Sequence, residues 1–277
     1  MQTAESSSWL SAMNRSPVLA LMTPLSQIAT VELGATIREA RNTATRGPFD
    51  QLAAVDSSGS REIVGLVCVE RLEGLADTDI VDPYIDRDLA GISVPVKAAL
   101  AEVLRRLPEH PTLLVVDSEQ TVGLIHRSDL NKQPMRVALY AEIVELEMGL
   151  SELVESLAGF DRWITCLRET SQIQVLGRRE VDRRNNNEIS PLQYLNLSDL
   201  VDIVRKLEVY TAVGCSSKSQ WDKAARGLVH LRNCVMHPVR YLVSDTESVG
   251  QLLAREQRLQ ELLHALRMHQ STSSADL

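Results

Sequence analysis

Two kinds of hydrophobic pattern divide this chain. In the first half, apolar residues come in short, β-branched-rich runs. Ala54-Val55-Asp56-Ser57 leads to Val64-Gly65-Leu66-Val67, and the same order returns as Val115-Val116-Asp117-Ser118 leading to Val122-Gly123-Leu124-Ile125. Recurrence at this length marks an internal duplication. Each pair of runs flanks a polar break, Ser57-Ser58-Gly59-Ser60 in one copy and Ser118-Glu119-Gln120 in the other, which predicts a hairpin. Ahead of the hairpins, Thr36 to Ala44 and Val96 to Leu107 predict helices, the second ended by Pro108 and Pro111.

After Pro134 the period changes. Leu139, Ile143, Leu146, Leu150, Leu153 and Leu157 recur at alternating steps of four and three, one buried stripe on a long helix from about 135 to 158. Further helices are predicted at about 160–177, 198–212, 218–243 and 247–268, separated by Asn185-Asn186-Asn187, by Gly214-Cys215-Ser216-Ser217 and by Asp245. The expected fold class is α+β: small sheets with helices over 17–134, then an all-α helical bundle over 135–270. Residues 1–16 and the Ser-rich 271–277 are expected to be flexible ends.

Composition narrows the function classes. With 277 residues, 44% of them hydrophobic, the chain can bury more than one core. Acidic residues outnumber basic ones, 37 to 29, which argues against coating nucleic acid through one broad positive face. The acidity lies mainly in residues 1–134, with 12 Lys/Arg against 18 Asp/Glu, whereas 135–277 carry 17 against 19. Cys68, Cys166, Cys215 and Cys234 show no tight pairing pattern, and no leader-like apolar segment opens the chain, so a reduced, cytoplasmic protein is expected. No apolar run reaches the roughly 20 residues of a membrane-spanning helix.

The duplicated hairpin and helix, ending in Gly123-Leu124-Ile125-His126-Arg127-Ser128-Asp129-Leu130, resembles a tandem pair of CBS modules over roughly residues 17–133. The Gly123-to-Asp129 spacing is its most specific part, and Leu21-Met22-Thr23-Pro24 followed by Val31-Glu32-Leu33-Gly34-Ala35-Thr36 adds to it. The resemblance implies a regulatory adenosyl ligand (AMP, ATP, S-adenosylmethionine or a cyclic dinucleotide) whose ribose is held by Asp129. The residue three positions earlier assists, and here it is His126 where the family usually has Thr or Ser. The chemistry is sound, because an ionised carboxylate can accept from both ribose hydroxyls. In the first copy the sixth residue after Gly65 is Arg71, which has only donors and suits ligand phosphates instead. The candidate ligand set is therefore Asp129, His126, Ser128, Arg71 and Thr112. The competing use of Asp129 is as a cap on the helix that begins nearby.

In the helical half, Leu231-Arg232-Asn233-Cys234-Val235-Met236-His237-Pro238 resembles the Arg-x(4–6)-His motif of HEPN ribonucleases. On a helix Asn233 and His237 share a face, while Arg232 lies about 140° from His237. Pro238 disfavours helix at His237, so a kink or helix end should expose the imidazole. Cutting RNA through its 2′-hydroxyl needs a proton acceptor, a proton donor and positive charge on the transition state, with no catalytic cofactor. Histidine can do either proton task. One His cannot readily do both at once, and the resemblance implies a homodimer that brings two copies of Arg232, Asn233 and His237 together.

Other uses of these residues stay open. His230, Cys234 and His237 sit on one face at metal-ligand spacing, though the chain offers no second paired cluster and no metal is expected. Arg178, Arg179, Arg183 and Arg184 form either a solvated face or a guide for RNA phosphates, and Asp77, Asp79, Asp82, Asp86 and Asp88 are expected to form a solvated connector. Together the two halves predict a nucleotide-regulated, metal-independent endoribonuclease acting on single-stranded RNA, with no membrane role. The helix from about 135 would couple the halves, and the HEPN resemblance implies a toxin or antiviral defence effector. The alternative is a non-catalytic nucleotide-sensing adaptor with a partner-binding helical domain. A metal-dependent hydrolase using the His/Cys face is a third option.

Overall fold

The computed structural model describes residues 16–47, 50–56, 62–187 and 189–275. The expected flexible N-terminus up to residue 15 and the polar break Ser57 to Ser60 lie outside them. The fold is α+β, and the chain divides into two compact units. One contains the residues up to Met135 together with Val243–Gly250, and the other contains Arg136–Leu242 and the residues from Gln251 onward. Segment 243–250 joins the first unit, where sequence reasoning gave it to the helical half. The Asn131 side chain clasps it by donating to the Val243 carbonyl at 2.7 Å and accepting the Val243 N–H at 3.1 Å.

The first unit holds two four-stranded sheets built to the same plan. In one, β2 (Thr30–Glu32) crosses over through α2 (Ile37–Ala44) to parallel β3 (Gln51–Val55). β3 pairs antiparallel with β4 (Ile63–Cys68), and β5 (Ile85–Asp86) closes the edge. In the other, β6 (Ser93–Pro95) crosses over through α3 (Leu100–Arg106) to parallel β7 (Thr112–Asp117). β7 pairs with β8 (Gln120–His126), and β1 (Thr23–Pro24), which follows α1 (Pro17–Leu21), lies along β8. Leu52, Ala54 and Val67 pack on Ile37 and Ala40 of α2, while Ala53, Val55, Ile63 and Leu66 pack on Leu114 of the other sheet. β3 is thus apolar on both faces, which explains its unbroken hydrophobic run.

The repeated Val-Gly-Leu has a steric cause. A Cβ on Gly65 would sit 2.6 Å from the Asp86 carbonyl oxygen, and one on Gly123 would sit 2.5 Å from that of Thr23. In each sheet the glycine admits the short edge strand.

The second unit is helical. From Arg136 onward α4 (Gln133–Leu157) belongs to it and buries Leu139, Ile143, Leu146, Leu150 and Leu153, while Leu157, the last residue of the expected stripe, is 42% exposed. Instead of one helix over 160–177 there are α5 (Phe160–Trp163), a 3-10 turn and α6 (Glu169–Arg184). The carbonyls freed at this break are taken by side chains, Cys166 O by Lys206 at 2.6 Å and Leu167 O by Gln172 at 3.1 Å. Then come α7 (Leu197–Lys206), α8 (Lys218–Met236) and α9 (Thr246–Ala275). α8 is shorter than the expected 218–243 because Pro238 forces His237 out of helix, at φ −115° and ψ 91°. α9 runs on to Ala275, so Ser271 to Ser274 are helical where a frayed tail was expected. Among the described residues no helix is long and apolar enough to cross a membrane.

Candidate functional site

The first unit encloses a cavity of about 200 Å³ between its two sheets, lined by Thr112 of β7, His126 of β8, Ser128, Asp129, and by Asp50 and Gln51 at the start of β3, with an apolar wall that includes Ile28, Leu52 and Leu124. Four of the five expected ligand residues, Thr112, His126, Ser128 and Asp129, meet here. Arg71 does not. It sits exposed on the 3-10 turn Val69–Leu72, away from the lining.

Two buried oxygens on this lining have no hydrogen-bond partner, Thr112 Oγ1 and Gln51 Oε1, and Thr112 is only 3% exposed. A buried polar group left unpaired costs roughly 1–3 kcal/mol, so both are ready acceptors of a ligand's donors. Asp129 is 7% exposed and also caps its own turn, accepting the His126 N–H at 2.7 Å. Lys132 Nζ stands 2.8 Å from its other oxygen and is itself held by the Leu21 carbonyl and Thr23. The capping role is therefore present, and the four or so acceptor positions of a carboxylate leave room for a ligand as well.

His126 Nδ1 lies 2.8 Å from Ser128 Oγ, and Nε2 is 3.1 Å from Asp50 Oδ2, in ion-pair range but out of line for a hydrogen bond. The His126 ring, and more weakly Arg127, hold the Asp50 carboxyl below its usual value. Asp50 and Gln51 were missed from sequence. The signal for Gln51 was present: aligning Ala54-Val55-Asp56 with Val115-Val116-Asp117 makes Gln51 the counterpart of Thr112. The copies thus place a polar side chain at the same strand position, and both line the cavity.

In the second unit, α8 carries Arg232 and Asn233, and His237 follows its end, exposed to solvent. Arg232 Nη1 is 3.5 Å from Asn233 Oδ1, and its Nε is 3.9 Å from Glu147 Oε1 of α4. Burial pushes the Glu147 carboxyl up, and Arg232 partly offsets this. Arg232 thus reaches both Asn233 beside it and Glu147 of α4. The turn bearing His237 is held by Arg136, which donates to the Cys234 and Arg240 carbonyls at 2.5 Å each. Arg136 and Glu147 were both invisible to motif reading, because nothing local in sequence ties them to α8. Around His237, Met236 is 43%, Val239 91% and Tyr241 75% exposed, an uncovered apolar fringe. Of the metal-ligand face, His230 Nε2 and Cys234 Sγ are 3.5 Å apart, and no group of three His, Cys, Asp or Glu among the described residues could hold a metal ion.

No family model matches the chain, and no curated protein matches it. Among solved structures it is similar to the CBS domain of a bacterial CNNM/CorC family Mg2+ transporter in complex with ATP (19% identical, 46% of this chain and 94% of that one, TM-score 0.37). It is also similar to a CBS domain pair/ACT domain protein from Thermotoga maritima (23% identical, 44% and 94%, TM-score 0.35). A third similar structure is a hemolysin-like protein containing a CBS domain from Oenococcus oeni (15% identical, 44% and 94%, TM-score 0.37).

Proposed function

We propose that this chain is a nucleotide-responsive endoribonuclease, in which the first unit binds an adenosyl ligand and the second, as a homodimer, cuts single-stranded RNA without a metal. The observation that carries the sensing half is the cavity where Asp129 meets the unpartnered Thr112 Oγ1 and Gln51 Oε1. Asp129 would accept from the ribose hydroxyls, Thr112 and Gln51 from the base or sugar, and the apolar wall would take the base face. The volume, about 200 Å³, suits a single nucleoside end of a ligand whose phosphates lie outside.

For the cutting half, His237 of one copy takes the proton of an RNA 2′-hydroxyl as that oxygen forms a bond to phosphorus. The bond to the 5′-oxygen breaks, and His237 of the second copy protonates the leaving oxygen, so protons and charge balance. Arg232, redirected from Glu147, stabilises the added negative charge. The exposure of His237 and of the apolar fringe beside it supports a second copy docking here. The contact of Arg232 with Glu147 favours a second reading, a non-catalytic sensing adaptor in which Arg232 is structural.

The sensing half is tested by calorimetry with adenosine, AMP and ATP against wild type, Asp129→Asn and Thr112→Val. Asn at 129 still accepts the His126 N–H, so the cap survives. Binding of at least one compound is expected, weakened about tenfold or more in Asp129→Asn, where a hydrogen bond to a charged group is worth roughly 1.5–3 kcal/mol, and by a smaller, several-fold factor in Thr112→Val, where the lost bond is neutral. No binding to wild type, or equal binding by Asp129→Asn, defeats the assignment.

A further inference from the structure

The helical unit carries an open cleft of about 950 Å³, lined along α8 by Lys218, Lys223, Arg226 and His230, with Arg205 from α7 and Arg255 from α9. Asp222 is the lone carboxylate on this lining, and it is engaged by Arg205 at 2.7 Å. Lys218, Lys223 and Arg226 are exposed and make no ion pair with any described carboxylate. Gathering unneutralised cations in one concavity, on a chain of net charge −8, costs repulsion that an anionic occupant relieves. Lys218 and Ser219 also stand in the first turn of α8, at the positive end of its helix dipole.

The cleft has a direction. Ser219, Lys223, Arg226, His230 and Asn233 follow one another at steps of four, three, four and three, so they form one stripe along α8, and His237 stands just past its end. Trp221, Ala225, Leu228, Leu231 and Val235 bury the other side. From Ser219 to His237 the run is about 27 Å long at 1.5 Å per residue, with a polar or basic group roughly every turn. A repeating anion with one charge per unit, flexible enough to follow a single helix, matches it. A single phosphate would use only one end.

We infer that the basic stripe of α8 is the track for the phosphate backbone of single-stranded RNA, delivering it to Asn233 and His237 at the helix end. This rests on the ribonuclease reading for its substrate, while binding and cutting can be measured apart. The Arg178, Arg179, Arg183, Arg184 cluster is not the track: its Arg183 and Arg184 are both engaged by Glu180, at 2.8 and 2.9 Å.

The test is fluorescence anisotropy of a labelled 15-nucleotide 2′-O-methyl oligouridine, which cannot be cut through its 2′ oxygen, titrated with the full chain in EDTA over a salt series. The expected result is tight, salt-dependent binding by wild type. Lys223→Gln combined with Arg226→Gln should weaken it at least tenfold and flatten the log–log salt slope by about 1.4, at roughly 0.7 for each phosphate no longer neutralised. Arg183→Gln combined with Arg184→Gln should leave both unchanged, and Lys223→Arg with Arg226→Lys should restore binding. All positions are exposed, and circular dichroism melts check that each variant folds. No binding by wild type, an unchanged slope in the first double variant, or an equal loss in the second overturns the inference. Stripe-dependent binding by a chain that leaves ordinary RNA uncut keeps the track and removes the nuclease reading; cutting that ignores Lys223 and Arg226 does the reverse.

Discussion

At the scale of single residues, Glu142 of α4 shows how burial sets chemistry in the helical unit. Its Oε2 is buried with no hydrogen-bond partner, and burial, followed by the nearby charge of Glu256, pushes the carboxyl up to about 7, while Gln260 and Arg267 offset part of this. Glu256 is itself raised by burial. A carboxyl whose folded pKa exceeds its unfolded value binds more protons when folded, so its contribution to stability is lost as pH rises from about 4.5 toward 7. Thermal melts should therefore show a Tm falling by roughly 2–6 °C between pH 5 and pH 8, and Glu142→Gln should flatten that fall. A variant with the wild-type slope would assign the pH dependence elsewhere. Residue chemistry of this kind was only partly legible in the sequence. Asp129, His126 and Ser128 were readable because the Gly123-to-Asp129 spacing is local. Glu142, Glu147 and Arg136 act on partners about a hundred residues away, and no local pattern marks such a pairing.

At the scale of elements, the β7–β8 hairpin turns through Ser118 and Glu119, both at positive φ, 49° and 69°. Two-residue turns of this kind favour Asn-Gly, and a side chain there costs roughly 1–2 kcal/mol per residue. Ser118→Asn together with Glu119→Gly should raise the urea midpoint by the equivalent of about 1–2 kcal/mol without altering ligand binding; an unchanged or lower midpoint would show that the turn is not strained. The hairpins were legible because each has two short β-branched-rich runs flanking a polar break. The edge strands β1 and β5 were not, since two residues carry no period, and only the glycines facing them betray their presence. Helix ends were legible where a residue forbids continuation, as Pro238 does after α8. The interruption after Trp163 was not legible, because its freed carbonyls are satisfied by Lys206 and Gln172 from other turns.

At the scale of the whole molecule, the chain joins a small cavity holding unmet hydrogen-bond acceptors to a helical unit with an exposed imidazole and a basic cleft. α4 starts at Gln133, four residues after Asp129. A ligand can change cutting only by binding two arrangements of the protein with different affinity, and the same difference must appear as an effect of RNA on ligand affinity. The most direct measurement incubates purified wild type and His237→Ala with mixed single-stranded RNA in EDTA, with and without adenine nucleotides, and reads the products on a gel. The expected products are fragments ending in 2′,3′-cyclic phosphate, formed at least 100-fold more slowly by the variant, with a wild-type rate that changes with nucleotide. An absence of cutting under every condition, or cutting undiminished in His237→Ala, would contradict a ribonuclease centred on His237.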